Sequence, residues 1–117
     1  MLVKDVDGLI FRKINKKPIL TMLFLLKSGP KRWSELEKWI NKRYLHESTV
    51  ALIDLGLVEA TILRDTPTGS KAYKLTPLGQ KIVSLIEQME KEFEDYHRKV
   101  SLPEDAGEFI NEPLEEE

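Results

Sequence analysis

Two histidines, His46 and His97, are the only side chains among these 117 residues that ordinarily titrate near neutrality, and cysteine is absent. They are far apart in the sequence and fall on different predicted elements. No Ser, His and acid set offers a nucleophile with its base, so the chain reads as a non-enzyme without catalytic residues. Zinc would need clustered Cys or His, and calcium an Asp-rich loop. The carboxylates instead lie mostly on one helix and in the last residues, so neither a metal site nor a cofactor is expected. Thr68-Gly69-Ser70-Lys71 approaches a phosphate loop, but the full G-x-x-x-x-G-K-[ST] spacing is missing and the segment leads into a strand, which suits a hairpin tip better. His46 is open to two readings, a base or phosphate contact with pH sensitivity, or a polar surface residue near a helix start. Trp33 and Trp39 could stack on a ligand, yet one just precedes a helix cap and the other falls on an apolar helical face, so core packing is expected for both. Tyr44 is ambivalent.

Charge is distributed unevenly. Residues 1–81 hold 15 Lys and Arg against 8 Asp and Glu, a net of +7, whereas residues 82–117 hold 3 against 12, a net of −9. A basic body followed by an acidic end suggests that the body faces a polyanion. One chain of this length, 41% hydrophobic, supports a single modest core. The longest apolar run, Ile19 to Leu26 broken only by Thr21, is far short of the roughly 20 residues a membrane span needs. With Asp5 and Asp7 near the start and no cysteine, the expectation is a cytoplasmic protein with no membrane partner and no signal peptide.

The elements that must position these side chains follow from periodicity. Residues 1–16 form an N-terminal arm whose scattered apolar positions fit helix or strand equally. A buried first helix is expected over about residues 17–27, with Pro18 tolerated in its first turn and Ser28-Gly29-Pro30 ending it. Ser34 and Glu37 have the spacing of a capping box, starting a short second helix with Leu36, Trp39 and Ile40 inward. After the polar turn Asn41-Lys42-Arg43, a third helix carries Leu45, Val50, Leu52, Ile53 and Leu55 and ends at Gly56. Leu57–Arg64 and Lys71–Leu75 read as the two strands of a hairpin whose tip is rich in turn formers. Thr76-Pro77 opens the last helix with an N-cap hydroxyl and a proline at its first position. Ile82, Ile86, Met89, Phe93, Tyr96 and Val100 then recur at steps of 4 and 3, a coiled-coil seam too long for the small core to cover. Glu87–Lys91, Glu94–Arg98 and Asp95–Lys99 have the spacing of charge pairs on its wet face. The segment 101–117 is acidic and expected to be mobile. The fold class is mostly α with a small β-hairpin, with a core over residues 17–76 and a long helix over residues 77–100.

That element order is the order of a winged helix-turn-helix domain. Leu55-Gly56-Leu57-Val58 and Tyr73-Lys74-Leu75-Thr76-Pro77-Leu78-Gly79 resemble the "LGLV... YxLTxxG" signature of winged-helix transcription regulators of the MarR, PadR and HxlR kind. Ser48-Thr49-Val50 resembles the "STV" of their recognition helices, and the similarity covers roughly residues 17–90. The resemblance implies a homodimer on double-stranded DNA, helix three in the major groove and the wing against the backbone or minor groove. Carried onto this sequence, it implies His46, Glu47, Ser48 and Thr49 facing the groove, Arg64, Ser70 and Lys71 as wing contacts, and Lys42 and Arg43 on phosphates at the helix entrance. The seam from Ile82 to Val100 would join the protomers, the alternative being that it packs on residues 1–16 of its own chain. The sequence departs from the pattern in two respects: helix three has Glu47 and Asp54 but no Lys or Arg, and the segment between Leu36 and Gly56 is several residues shorter than is usual in HxlR-like members. A competing reading is a winged-helix module that binds a protein partner and not DNA, distinguished by weak affinity for duplex DNA even at low salt. In a variant of the DNA reading, the acidic end folds over the basic body as a DNA mimic.

Overall fold

The computed structural model describes residues 8–100. Five helices, α1 (Ile10–Ile14), α2 (Lys17–Leu25), α3 (Trp33–Leu36), α4 (Lys42–Asp54) and α5 (Pro77–Val100), are interleaved with strands β1 (Lys31–Arg32), β2 (Val58–Leu63) and β3 (Ser70–Leu75). The chain divides into two units, one ending at Ser84 and one beginning at Leu85, where α5 continues. The acidic segment 101–117 and residues 1–7 of the arm lie outside the described residues.

The core of the first unit is built from Met22, Leu23 and Leu26 on the α2 side, Leu36 of α3, Leu45 and Leu52 of α4, and Leu57 and Val58 where the wing begins. Ile14, the last residue of α1, is buried as well. Helix α2 has Pro18 in its first turn, where a missing amide breaks no helical bond, and runs on through a single 3-10 turn, Leu26–Ser28. Gly29, at φ +131°, then turns the chain into β1.

The helix-turn-helix differs from expectation at both helix starts. The cap of the second helix is Arg32 and not Ser34: the Arg32 amide donates to the Glu35 carboxylate at 2.7 Å, while Glu37 accepts from the Trp33 indole Nε1 at 2.9 Å. Helix α3 is consequently a single turn. Because the chain leaves helical geometry after Leu36, Trp39 drops off the inward face shared by Leu36 and Ile40 and stands 70% exposed, contrary to the core position expected for it. Helix α4 begins at Lys42, with Asn41 as N-cap accepting from the Arg43 amide at 2.9 Å. Lys42 and Arg43 therefore belong to its first turn, and the apparent lack of cations in this helix disappears.

The wing is part of a three-stranded antiparallel sheet in the order β1-β3-β2, since two residues after Gly29-Pro30 add an unanticipated strand to the hairpin. Val58 faces Leu75 at the base of the hairpin and Leu63 faces Ser70 at its far end, while Lys31 and Arg32 pair with Tyr73 and Ala72. The tip turns back through Gly69, at φ +76°, whose amide donates to the Thr66 carbonyl at 3.0 Å.

The exit of α4 and the start of α5 are joined by one set of backbone and hydroxyl bonds. Gly56 takes φ +78°, its amide returns to the Ile53 carbonyl at 2.9 Å, and the Leu57 amide returns to the Leu52 carbonyl at 2.9 Å, the two bonds of a Schellman cap. The Thr76 hydroxyl donates to the Gly56 carbonyl at 2.6 Å and accepts from the Gly79 amide at 2.9 Å, and the Thr76 amide donates to the Leu57 carbonyl at 3.0 Å. Gly79 lies so close to Leu57 that a Cβ there would fall 2.0 Å from the Leu57 carbonyl oxygen. The chain is thus a winged helix-turn-helix fold in which the signature glycines and threonine form one junction. Gly79→Ala forces rigid backbone apart and is expected to destabilise the protein by about 2 kcal/mol or more, the upper part of the range for overpacking. Urea unfolding followed by circular dichroism measures this, and a midpoint equal to that of the parent chain would contradict the close approach.

Candidate nucleic-acid interface

Helix α4 has a clear inside and outside. Leu45, Ser48, Thr49 and Leu52 are its buried positions, at the i, i+3, i+4, i+7 spacing of one helical face. Lys42, Arg43, His46, Glu47 and Val50 are exposed. Ser48 and Thr49 are only 4% and 5% exposed, so the groove-facing role that the resemblance implied for them is corrected. The Thr49 hydroxyl donates to the Leu45 carbonyl at 2.8 Å and lies 3.5 Å from the Met22 sulfur, which spends it on the α2–α4 contact. The inward position of both residues was legible in the sequence, because each sits three or four residues from Leu45 and Leu52. Val50 and Ile53, treated as core positions of the same helix, drew attention to the wrong face and are in fact exposed.

Four of the expected phosphate contacts are on the surface. Lys42 and Arg43 stand on the first turn of α4, Arg64 follows β2 at the start of the wing loop, and Lys71 projects from β3. None of the four has an acidic partner among the described residues. Arg43 lies 6.0 Å from the Tyr44 ring centroid and Lys71 lies 5.6 Å from that of Tyr73, distances at which an aromatic face still attracts a cation. Such contacts orient the cations without neutralising them.

Ser70 is engaged within the protein. Its hydroxyl donates to the Asp65 carboxylate at 3.1 Å and accepts from Arg32 Nε at 3.1 Å, and it is part-buried. The Arg32 guanidinium also pairs with Asp65 and approaches Glu35 at 3.9 Å. One arginine on β1 thereby holds both ends of the wing loop and the first turn of α3. Arg32 and Asp65 escaped the sequence reading, since the bond between Arg32 and Ser70 spans 38 residues and neither side chain belongs to a periodic pattern.

In the second unit, the described part of α5 exposes an apolar stripe. Phe93 and Tyr96 are each 63% exposed, Met89 and Val100 are exposed to a lesser degree, and Ile86 is half-buried; Ile82, still in the first unit, is half-buried too. The His97 ring sits 4.3 Å from that of Phe93 and 5.4 Å from that of Tyr96. On the polar side Asp95 pairs with Lys91 at 2.8 Å and Arg98 at 3.0 Å, and not with Lys99 as its spacing suggested. The hydrogen bond from Lys91 draws the Asp95 carboxyl below its ordinary range.

Among the described residues no group of three or more His, Asp and Glu could hold a metal ion, and no helix is long and apolar enough to cross a membrane. The profile of the HxlR-like helix-turn-helix family matches residues 13–101. Among solved structures, the reduced form of the transcriptional regulator YodB from B. subtilis is 24% identical, covering 78% of this chain and 90% of that one at a TM-score of 0.65. A chain from Enterococcus faecalis V583, described as a transcriptional regulator of the MarR family, is also 24% identical, covering 86% and 96% at a TM-score of 0.68. The transcriptional repressor BigR from Xylella fastidiosa is 20% identical, covering 68% and 78% at a TM-score of 0.58. No curated protein matches the chain. At these identities the likenesses show the fold.

If Arg32 anchors the wing, Arg32→Ala should loosen it without unfolding the domain. Hydrogen exchange of the amides between Leu63 and Lys71 is expected to accelerate, while the loss of global stability stays within about 1 kcal/mol, as for a partly exposed ion pair. Exchange confined to its original rate in that loop would show that the arginine does not restrain it.

Proposed function

The chain belongs to the HxlR-like helix-turn-helix family, which makes it a transcription regulator and not an enzyme, and from that premise we propose that it binds specific duplex DNA as a homodimer. In this reading α4 enters the major groove and the wing lies on the phosphate backbone. The observation that carries it is the set of four exposed cations, Lys42 and Arg43 on α4 with Arg64 and Lys71 on the wing, none of them neutralised by an acid among the described residues. Side chains of this kind displace counterions from phosphates, and their placement on two separate elements suits backbone contacts that fix register. His46, beside them on the outer face of α4, is the candidate for a base edge, with Glu47 able to accept from cytosine. Ser48 and Thr49, turned inward, take no part.

The homodimer rests on the stripe of α5. Met89, Phe93, Tyr96 and Val100 are large apolar side chains left in water, at the alternating spacing that a second copy of the helix would cover. Joined that way, two copies of α4 would address successive major grooves about 34 Å apart. One observation favours the competing module that binds protein: Trp39 presents its indole to solvent in the turn before α4, a residue type enriched at protein interfaces.

Fluorescence anisotropy on a mixed-sequence duplex, titrated from about 50 to 200 mM salt, separates the two readings. DNA binding is expected to weaken along a straight log-log line, with each of Lys42→Ala, Arg43→Ala, Arg64→Ala and Lys71→Ala lowering the slope by about 0.9. Ser48→Ala should leave it unchanged. Absence of binding at the low-salt end would favour the protein partner. For the dimer, the double variant Met89→Glu with Phe93→Glu is expected to sediment as a monomer and to lose affinity for a palindromic site, and a monomer that binds such a site as well as the parent chain would refute the role of the seam.

A further inference from the structure

We propose that the cavity between the start of α2 and the flank of α4 binds a small zwitterion with an apolar body, of the size and charge pattern of an apolar α-amino acid. The cavity has a volume of about 280 Å³, enough for such a molecule. Its less polar lining is Pro18 and Ile19 of α2 with Tyr44 and Ala51 of α4. Pockets of this kind take an apolar group and orient it with a few polar ones.

The polar groups are present and uncommitted. Ser48 lines the cavity and is 4% exposed, yet its hydroxyl makes no hydrogen bond with any described residue, in contrast to its neighbour Thr49, whose hydroxyl bonds the Leu45 carbonyl. The Ser48 oxygen is not sealed off from solvent, so what reaches it comes through the cavity it lines. Its oxygen, open to the cavity and uncommitted among the described residues, is available to a ligand there. A ligand carboxylate or amine in the cavity would bond it directly.

Two opposite charges set the ligand's class. Lys16 and Glu47 both line the cavity and are both exposed, but neither forms an ion pair with a described residue, and so they do not neutralise each other. A purely anionic ligand would meet Glu47 and a purely cationic one Lys16, each with repulsion. A molecule bearing a carboxylate and an ammonium close together satisfies both, while its apolar side chain lies against Ile19, Ala51 and Tyr44. The cavity shares Glu47 with the outer face of α4 proposed to meet DNA but none of the four cations, and its test contains no DNA.

Isothermal titration calorimetry of the full chain with L-leucine, L-methionine and L-phenylalanine tests the proposal, with L-leucinamide and N-acetyl-L-leucine as analogues lacking one charge each. At least one of the three amino acids is expected to bind once per chain, and both charge-deleted analogues at least about tenfold more weakly than L-leucine. Ser48→Ala should weaken binding about three- to tenfold, the range of a single hydrogen bond. Glu47→Gln, a surface change that leaves folding intact, should weaken L-leucine but not N-acetyl-L-leucine. No heat from any of the three amino acids at millimolar concentration would overturn the proposal. So would equal affinity for L-leucine and its two analogues, or parent-like binding by both variants.

Discussion

The rest of the domain depends on the hydroxyl of Thr76. It accepts from the Gly79 amide at the start of α5 and donates to the carbonyl of Gly56 at the end of α4, so one oxygen caps the long helix and fastens it to α4. The Thr76 amide completes the attachment at the Leu57 carbonyl. Glycine is required on both sides for different reasons. Gly56 must adopt a left-handed backbone to close the Schellman cap, whereas Gly79 must lack a Cβ so that the helix can approach Leu57. The short motifs shared with winged-helix regulators are thus explained by a junction, and they speak for the fold before they speak for any ligand.

That junction determines what each face of α4 can do. With the end of the helix fixed and Leu45 and Leu52 in the core, its rotation about its own axis is settled, and Ser48 and Thr49 turn inward together. Thr49 finds a carbonyl and the Met22 sulfur, while Ser48 opens onto a cavity. The outward face retains Lys42, Arg43, His46 and Glu47. Capping the helix at Asn41 also places the two cations on its first turn.

The wing obeys a different constraint. Its strands are paired by backbone bonds, but its loop is a string of turn formers that would move freely without a fixed end. Arg32, anchored in the sheet through β1, reaches Asp65 and Ser70 at opposite ends of that loop and Glu35 in α3. Arg64 and Lys71 flank this anchored pair in the chain. The wing loop is therefore tied to the helix-turn-helix by charge, whereas the strands beneath it bury Val58, Ala72, Tyr73 and Leu75 in the core.

Much of the architecture follows from the chain alone. Pro18 and Pro77 in first turns, Gly56 after a helix, the alternation in the hairpin and the steps of 4 and 3 from Ile82 to Val100 each restrict backbone geometry over a few residues, so they can be read without knowing what lies across the core. The surface positions of Lys42, Arg43, Arg64 and Lys71 follow from the same local patterns. Tertiary structure decided what those patterns leave open. It paired β1 with β3, withdrew Ser70 into the Arg32 network, put Trp39 in solvent where a one-turn helix ended early, and left Ser48 facing a cavity instead of a groove. The physical reason is common to all four: a backbone preference is a property of neighbouring residues, whereas the partner of a side chain is whatever the packed chain brings within bonding distance, from any separation in sequence.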